Sequence, residues 1–152
     1  MRLTVLGLIV SVLLCSCAAL AGRDAVLPVQ TIRIDTASGP KEFKVEVAAD
    51  AVSQEHGLMY RRDLPADAGM LFDFHQEARV SFWMKNTPLP LDMLFIRASG
   101  VISLIHANAQ PNDTTEILSG GPVAAVLEIN GGRAAALGIA VGDQVRYPLF
   151  GP

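Results

Sequence analysis

The densest group of residues that could do chemistry lies between positions 82 and 92. The only tryptophan, Trp83, is followed by Lys85 and Asn86, and Asp92 closes the segment. Prolines at positions 88 and 90 keep the intervening chain extended, because proline fixes its own backbone angle and restricts the residue before it. Such a link would hold Lys85 and Asp92 as a preset pair. The pair would either serve a polar site beside Trp83 or only pin the loop while Trp83 fills the core.

Arg61 and Glu128 add a second cation and a second acid to this set. Glu128 alternates with Val126 and Asn130, so one face of the predicted strand carries an acid and an amide. Together with Trp83, these side chains suit a polar ligand that stacks on an aromatic ring, such as a sugar or a peptide end. The alternative is that Glu128 neutralises Arg61 or another cation in a half-buried structural network.

Hydrolysis is the enzymatic alternative. Asp92 and Glu128 would be its acid/base pair, as in glycoside hydrolases, although the sequence does not give their separation. Ser-His-Asp chemistry is not favoured, because Ser81, Ser103 and Ser119 lack the context of a nucleophile elbow. We expect a small binding or accessory module rather than an enzyme. A carboxylate-dependent hydrolase acting on an envelope polysaccharide or similar substrate is the alternative.

A copper site is a weaker hypothesis. Methionines at 59, 70, 84 and 93 and histidines at 56, 75 and 106 would be soft ligands of the kind copper prefers. However, Met70 and Met84 alternate with phenylalanines in apolar segments, where methionine commonly fills a core. The histidines are widely separated and form no paired motif. We expect neither a metal nor another cofactor.

The beginning of the chain has the pattern of an export signal. Arg2 precedes an apolar run over residues 3–14, too short to span a bilayer as a stable helix. Residues 19–21 predict cleavage before Gly22, whereas residues 14–17 resemble a lipobox that would place a lipid on Cys17. We therefore expect a signal peptide over 1–21 (or 1–16 in a lipoprotein), a tether over 22–28 and one globular domain over 29–152. The expected location is the periplasm or cell envelope, with membrane contact only through that lipid.

Cysteine use and charge exclude further classes of protein. Both cysteines precede position 18, so the exported body has no disulfide and no thiolate nucleophile. The chain has 12 Lys and Arg against 15 Asp and Glu, a net charge of −3, which argues against a nucleic-acid partner. The expected partner is a small polar ligand or an envelope protein, and the oligomeric state stays open.

The elements that must position these residues are short. Residues 31–35 and 41–49 alternate as strands, and Asp50 predicts the cap of a helix that ends at Gly57. Further strands are predicted from Gly69, from Val80, over 93–98 and 101–106 around a hairpin turn, over 123–130 and over 144–147. Residues 133–137 predict a second helix. The hairpin strands are apolar on both faces, so we expect them at the centre of the sheet.

These predictions add up to a mainly β (α+β) domain. Its expected form is a curled or closed, barrel-like sheet of six to eight short strands with two short helices.

Several segments resemble the family catalogued as domain of unknown function 192. They are residues 57–61 (GLMYR), 69–72 (GMLF), 82–87 (FWMKNT), 90–92 (PLD), 126–128 (VLE) with Gly131, and 142–145 (GDQV). The resemblance runs from about Gln30 to Tyr147. It implies a compact β-rich domain that is frequently exported in bacteria, and it implies no activity. The polar positions that recur in the family correspond to Arg61, Lys85, Asn86, Asp92 and Glu128.

Overall fold

The computed structural model describes residues 26–151. The predicted signal segment, Cys17 and the first part of the tether lie outside the described residues. Within the described residues, no helix is long and apolar enough to cross a membrane.

Nine strands and two short α-helices make up this part of the chain. In chain order they are β1 (Val29–Thr36), β2 (Gly39–Ala48), α1 (Ala51–His56), β3 (Ala68–Ala78), β4 (Ser81–Phe82), β5 (Leu91–Ile96), β6 (Ile102–Ala109), β7 (Ile117–Leu118), β8 (Val123–Asn130), α2 (Arg133–Leu137) and β9 (Gln144–Arg146). A 3-10 helix follows at Pro148–Phe150. The mainly β fold predicted from the sequence is confirmed.

Seven strands form one curled sheet in the order β6-β5-β8-β3-β2-β1-β9, and β4 and β7 form a separate two-stranded sheet. The curl brings the two edge strands of the large sheet together at one end. There Val101 bridges Gln144, and the N–H of Val145 donates to the carbonyl of Gly100 at 2.8 Å. The result is a half-barrel with one apolar interior.

The prediction of a central hairpin is half correct. The predicted β5–β6 hairpin forms, and β5 is buried along its whole length between β6 and β8. However, β6 lies at the sheet edge, and its residues 106–108 are exposed. The strand predicted from Val80 is also shorter than expected, and it leaves the main sheet to pair with β7.

Both faces of the large sheet are apolar. The interior of the half-barrel contains Ile32, Phe43, Leu71, Leu94 and Leu127, among others. The opposite face carries a second cluster that includes Met70, Phe72, Met93 and Val126, covered by Leu58, Met84 and neighbouring residues. Side chains alternate between the two faces along each strand, so the register decides which cluster a residue joins.

Candidate functional site

A cavity of about 410 Å³ lies over the second apolar face of the large sheet. It is lined by residues 54–59, Phe72, Phe74, residues 80–83, Thr87 and Glu128. Phe72 and Glu128 are buried in β3 and β8 and form its floor. One wall is α1 with the turn that follows it, and the opposite wall is β4 with Trp83.

Local sequence explains the position of the α1 wall. Asp50 accepts hydrogen bonds from the N–H groups of Val52 and Ser53, each at 3.0 Å, and this capping starts the helix as predicted. The side chain of Gln54 then donates to the carbonyl of Asp73 in β3 at 2.6 Å, which ties the helix to the sheet. Gly57 ends the helix with φ +52°, where an added Cβ would be 3.3 Å from the Phe72 ring. The turn can therefore pack directly on the cavity floor.

The opposite wall is aromatic. The Phe82 ring packs edge-to-face against Phe72 with centroids 5.0 Å apart, and against Phe74 and Phe95 at 6.4 and 6.2 Å. Trp83 is 48% exposed at the rim and does not fill the core. Val80 and Ser119 hold this wall, since each backbone N–H bonds to the other residue.

Glu128 is the polar group of the floor. Glu128 is only 4% exposed, and in the strand register it lies between Met70 of β3 and Met93 of β5. No described residue donates a hydrogen bond to its carboxyl group or lies within ion-pair distance of it. Yet none of the described buried side-chain polar atoms is sealed off without a hydrogen-bond partner. The carboxyl oxygens of Glu128 therefore reach the open space of the cavity.

Burial raises the pKa of Glu128 to about 8, because removal from water disfavours the charged carboxylate. At neutral pH the Glu128 side chain is thus mostly a neutral carboxylic acid, which can donate or accept a hydrogen bond. A cation placed beside it would favour ionisation.

Asp92, the other predicted acid, lies outside the cavity. In the strand register Asp92 is opposite Ile129, and the next pair is Met93 with Glu128. Successive side chains of a strand point to opposite faces, so Asp92 and Glu128 lie on opposite faces of the sheet. The carboxylate of Asp92 accepts hydrogen bonds from the N–H groups of Asn108, Gly132 and Ala134 at 2.8–2.9 Å. The carboxylate pair required by the hydrolase alternative is not assembled.

Arg61 is paired with Glu46 and not with Glu128, the acid considered for it from the sequence. Its guanidinium makes a double hydrogen bond with the carboxylate of Glu46 in β2, at 2.6 and 2.5 Å. Glu46 is opposite Met70, which is opposite Glu128, so these residues share one face. Arg61 is thus held two strands away from Glu128 and does not neutralise it.

Lys85 and Asn86 stand beside the cavity. The Lys85 ammonium lies 5.2 Å from the centroid of the Trp83 ring, in a cation–π contact, and makes no ion pair with Asp92. The side-chain amide of Asn86 donates to the Tyr60 hydroxyl at 2.8 Å, and the backbone carbonyl of Asn86 accepts from the Tyr60 N–H at 2.7 Å. Asn86 therefore joins the α1 side of the cavity to the loop that carries Trp83.

Of the six predicted ligand-binding residues, the cavity includes Trp83 and Glu128. Sequence reasoning missed His56, Leu58, Phe72 and Phe82 as lining residues. A signal was present for three of them, because Leu58, Phe72 and Phe82 lie in the 57–61, 69–72 and 82–87 segments of the motifs quoted above. Alternation along a strand identifies an apolar face, but it cannot show that two such segments enclose a space. Within residues 26–151, no three His, Cys, Asp or Glu residues group as metal ligands.

A half-barrel whose outer face carries an aromatic cavity with one buried acid defines the class of this protein. The chain matches the family described as DUF192, uncharacterized ACR, over residues 32–147. It belongs to this family.

Two solved structures are similar over most of the chain. A protein from Sinorhizobium meliloti 1021, described as a candidate transcription regulator, is 45% identical with a TM-score of 0.81, and the match covers 84% of this chain and 99% of that one. A protein of unknown function from Novosphingobium aromaticivorans DSM 12444 is 39% identical with a TM-score of 0.80, covering 83% and 90% respectively. No curated protein matches the chain.

Proposed function

We propose that this protein is a small-ligand-binding domain exported to the bacterial envelope. The observation that carries the binding proposal is Glu128, a buried carboxyl group that has no partner among the described residues and faces a cavity lined with aromatic rings. Buried polar groups in folded proteins nearly always have hydrogen-bond partners, so an exception that faces an open space points to a partner from outside the chain. The export proposal is supported by the leader pattern of residues 1–21.

The cavity has the size and lining of a small-molecule site. A volume of 410 Å³ lies within the range of about 300–1,000 Å³ common for such sites, which combine apolar walls with few polar anchors. Phe82 and Trp83 offer ring surface to a ligand, and Glu128 fixes its orientation. This role does not require Arg61 or Asp92, whose hydrogen bonds are made within the protein.

Two other functions receive less support. The hydrolase alternative loses its predicted Asp92–Glu128 pair, since Asp92 faces the other side of the sheet. Regulation of transcription, suggested by the description of the Sinorhizobium relative, is not favoured as direct DNA binding, because the net charge of −3 provides no basic footprint.

A ligand screen with a cavity-blocking variant tests the proposal. We would measure thermal unfolding of the mature protein with saccharides, peptides, amines and neutral aromatic compounds. A ligand present at about 100 times its Kd stabilises the folded state by about 2.7 kcal/mol. Ser81→Trp would fill the mouth of the cavity and abolish the stabilisation. Ser99→Trp, in an exposed turn outside the cavity, would retain it. Stabilisation that persists in Ser81→Trp, or its absence with every compound in the wild type, would contradict the proposal.

A further inference from the structure

The charges around the cavity are unbalanced. Its ionisable lining consists of Glu128 on the floor and Glu55 and His56 of α1 at the rim. The strands that flank Glu128 contribute Met70 and Met93, which are uncharged. Among the described residues, no lysine or arginine lines the cavity. The site therefore contains a buried acid for which residues 26–151 supply no counter-charge.

Nearby cations are used elsewhere. Arg61 is committed to Glu46 through two hydrogen bonds, and Lys85 lies against the Trp83 ring. A carboxylate kept apart from such groups in a low-dielectric site interacts strongly with a cation that enters, because little water screens the pair. A neutral ligand of the same shape gains no such interaction.

The walls also suit a cation. Phe72, Phe74, Phe82 and Trp83 present aromatic rings to the cavity, and the negative face of an aromatic ring attracts ammonium groups. The contact between Lys85 and Trp83 places an ammonium in this geometry at the rim. Proteins recognise quaternary ammonium ligands with aromatic rings, and a nearby carboxylate adds a charge interaction.

We propose that the cavity binds a small organic ammonium ion, with its cationic nitrogen at Glu128 and its apolar body against Phe72, Phe82 and Trp83. This inference rests on the proposed ligand-binding function and specifies the chemical class of the ligand. A small molecule is favoured over a lysine side chain of a protein partner, because the cavity volume matches that of small-molecule sites.

Binding of an ammonium ion would be coupled to proton release. The pKa of Glu128 is raised to about 8, so below that pH the free site is mostly protonated and must lose a proton to pair with the cation. We expect affinity to increase from pH 6 to about pH 8 and then level off. His56 is a second ionisable side chain at the cavity rim, so His56→Gln is measured in parallel and should retain the increase.

Calorimetric titration with matched ligands tests the inference. The probes are choline against its uncharged carbon isostere 3,3-dimethylbutan-1-ol, and 2-phenylethylamine against 2-phenylethanol. At pH 8 we expect at least one cation to bind on the order of tenfold more tightly than its neutral partner. Glu128→Gln should remove that preference, so that the cation and its alcohol bind with equal affinity. Glu42→Gln, an exposed glutamate of β2, should behave as wild type. Circular dichroism verifies that each variant is folded.

The outcomes separate this inference from the proposed function. Equal affinity for cation and alcohol, blocked in both cases by Ser81→Trp, would overturn the ammonium inference and leave the binding function standing. A preference for the cation that survives in Glu128→Gln would also overturn it. Failure of all four probes would overturn the inference, and the broader screen would then decide the binding function separately.

Discussion

Asp92 and Glu128 lie on neighbouring strands, and both are buried, but their surroundings differ. Asp92 accepts three backbone hydrogen bonds, which join β5 to the end of β6 and to the start of α2. Glu128 accepts none from the described residues and faces the cavity. A carboxylate that backbone N–H groups surround contributes to stability, whereas the lack of such donors at Glu128 is what supports the binding proposal.

Glu128 makes the stability of the protein depend on pH. Its pKa rises from 4.5 to about 8 on folding, so between these values the folded state holds a proton that the unfolded state has lost. The free energy of unfolding therefore falls with increasing pH, by up to about 1.4 kcal/mol per pH unit. We expect this decline in the wild type relative to Glu128→Gln, measured by urea unfolding from pH 5 to 9. Glu42→Gln is the control, and parallel curves for wild type and Glu128→Gln would contradict the assignment.

Asp92 is expected to matter for stability and not for binding. Hydrogen bonds to a charged group contribute about 1.5–3 kcal/mol each, so Asp92→Ala should lower the free energy of unfolding by at least about 3 kcal/mol. Asp92→Asn, which keeps one acceptor oxygen, should lose less. Chemical denaturation measures both variants. If either folded variant bound the ligand more weakly than the wild type, Asp92 would be part of the binding site.

At the scale of elements, the turn after α1 and the loop that carries Trp83 meet beside the cavity through two residues in the left-handed backbone conformation. Tyr60 and Asn86 have φ of 64° and 55°, and they bond to each other through both backbone and side-chain atoms. Few residues other than glycine adopt this conformation readily, although asparagine tolerates it better than most. The contact fixes the turn after α1 against the Trp83 loop, and so it sets the width of the cavity.

Substitution of Asn86 separates its backbone role from its side-chain role. Asn86→Gly removes the hydrogen bond to Tyr60 but accepts the left-handed conformation, and we expect a loss of about 1 kcal/mol. Asn86→Ala adds backbone strain of about 1 kcal/mol to that loss. Urea unfolding followed by the fluorescence of Trp83 measures both. Equal losses would show that the left-handed backbone is not what Asn86 provides.

At the scale of the whole molecule, the large sheet uses both of its faces. One face closes into the half-barrel interior, and the other supports α1 and the β4–β7 pair, between which the cavity lies. The cavity thus depends on elements that lie far apart along the chain. A ligand that contacts both walls would link them, which favours binding in a cleft over binding on a single loop.

Export is tested on the full chain by the intact mass of the mature protein. We expect a bacterial host to remove residues 1–21, so that the mature chain begins at Gly22. A mass that corresponds to lipid-modified Cys17 would instead establish the lipoprotein route. Retention of the complete leader in a cytoplasmic fraction would contradict the export proposal.

Much of the fold could be predicted because it depends on local patterns. The capping role of Asp50, the helix end at Gly57 and the alternation over residues 41–49 are all local features, and the structure contains them. The edge position of β6 could not be predicted from its apolar residues. The curl brings the start of β6 close to β9, which covers that end of the edge strand, while residues 106–108 stay exposed.

The sequence by itself determined the mainly β architecture, the family and the segment in which Trp83 stands, because periodicity and motifs are carried by neighbouring residues. Only the tertiary structure decided which polar residues meet. Register placed Asp92 and Glu128 on opposite faces, and chain packing gave Arg61 to Glu46. Glu128 faces an aromatic cavity to which no described residue brings a counter-charge. The physical reason is that a carboxyl group acquires its chemistry from burial and partners, and residues distant in the chain supply both.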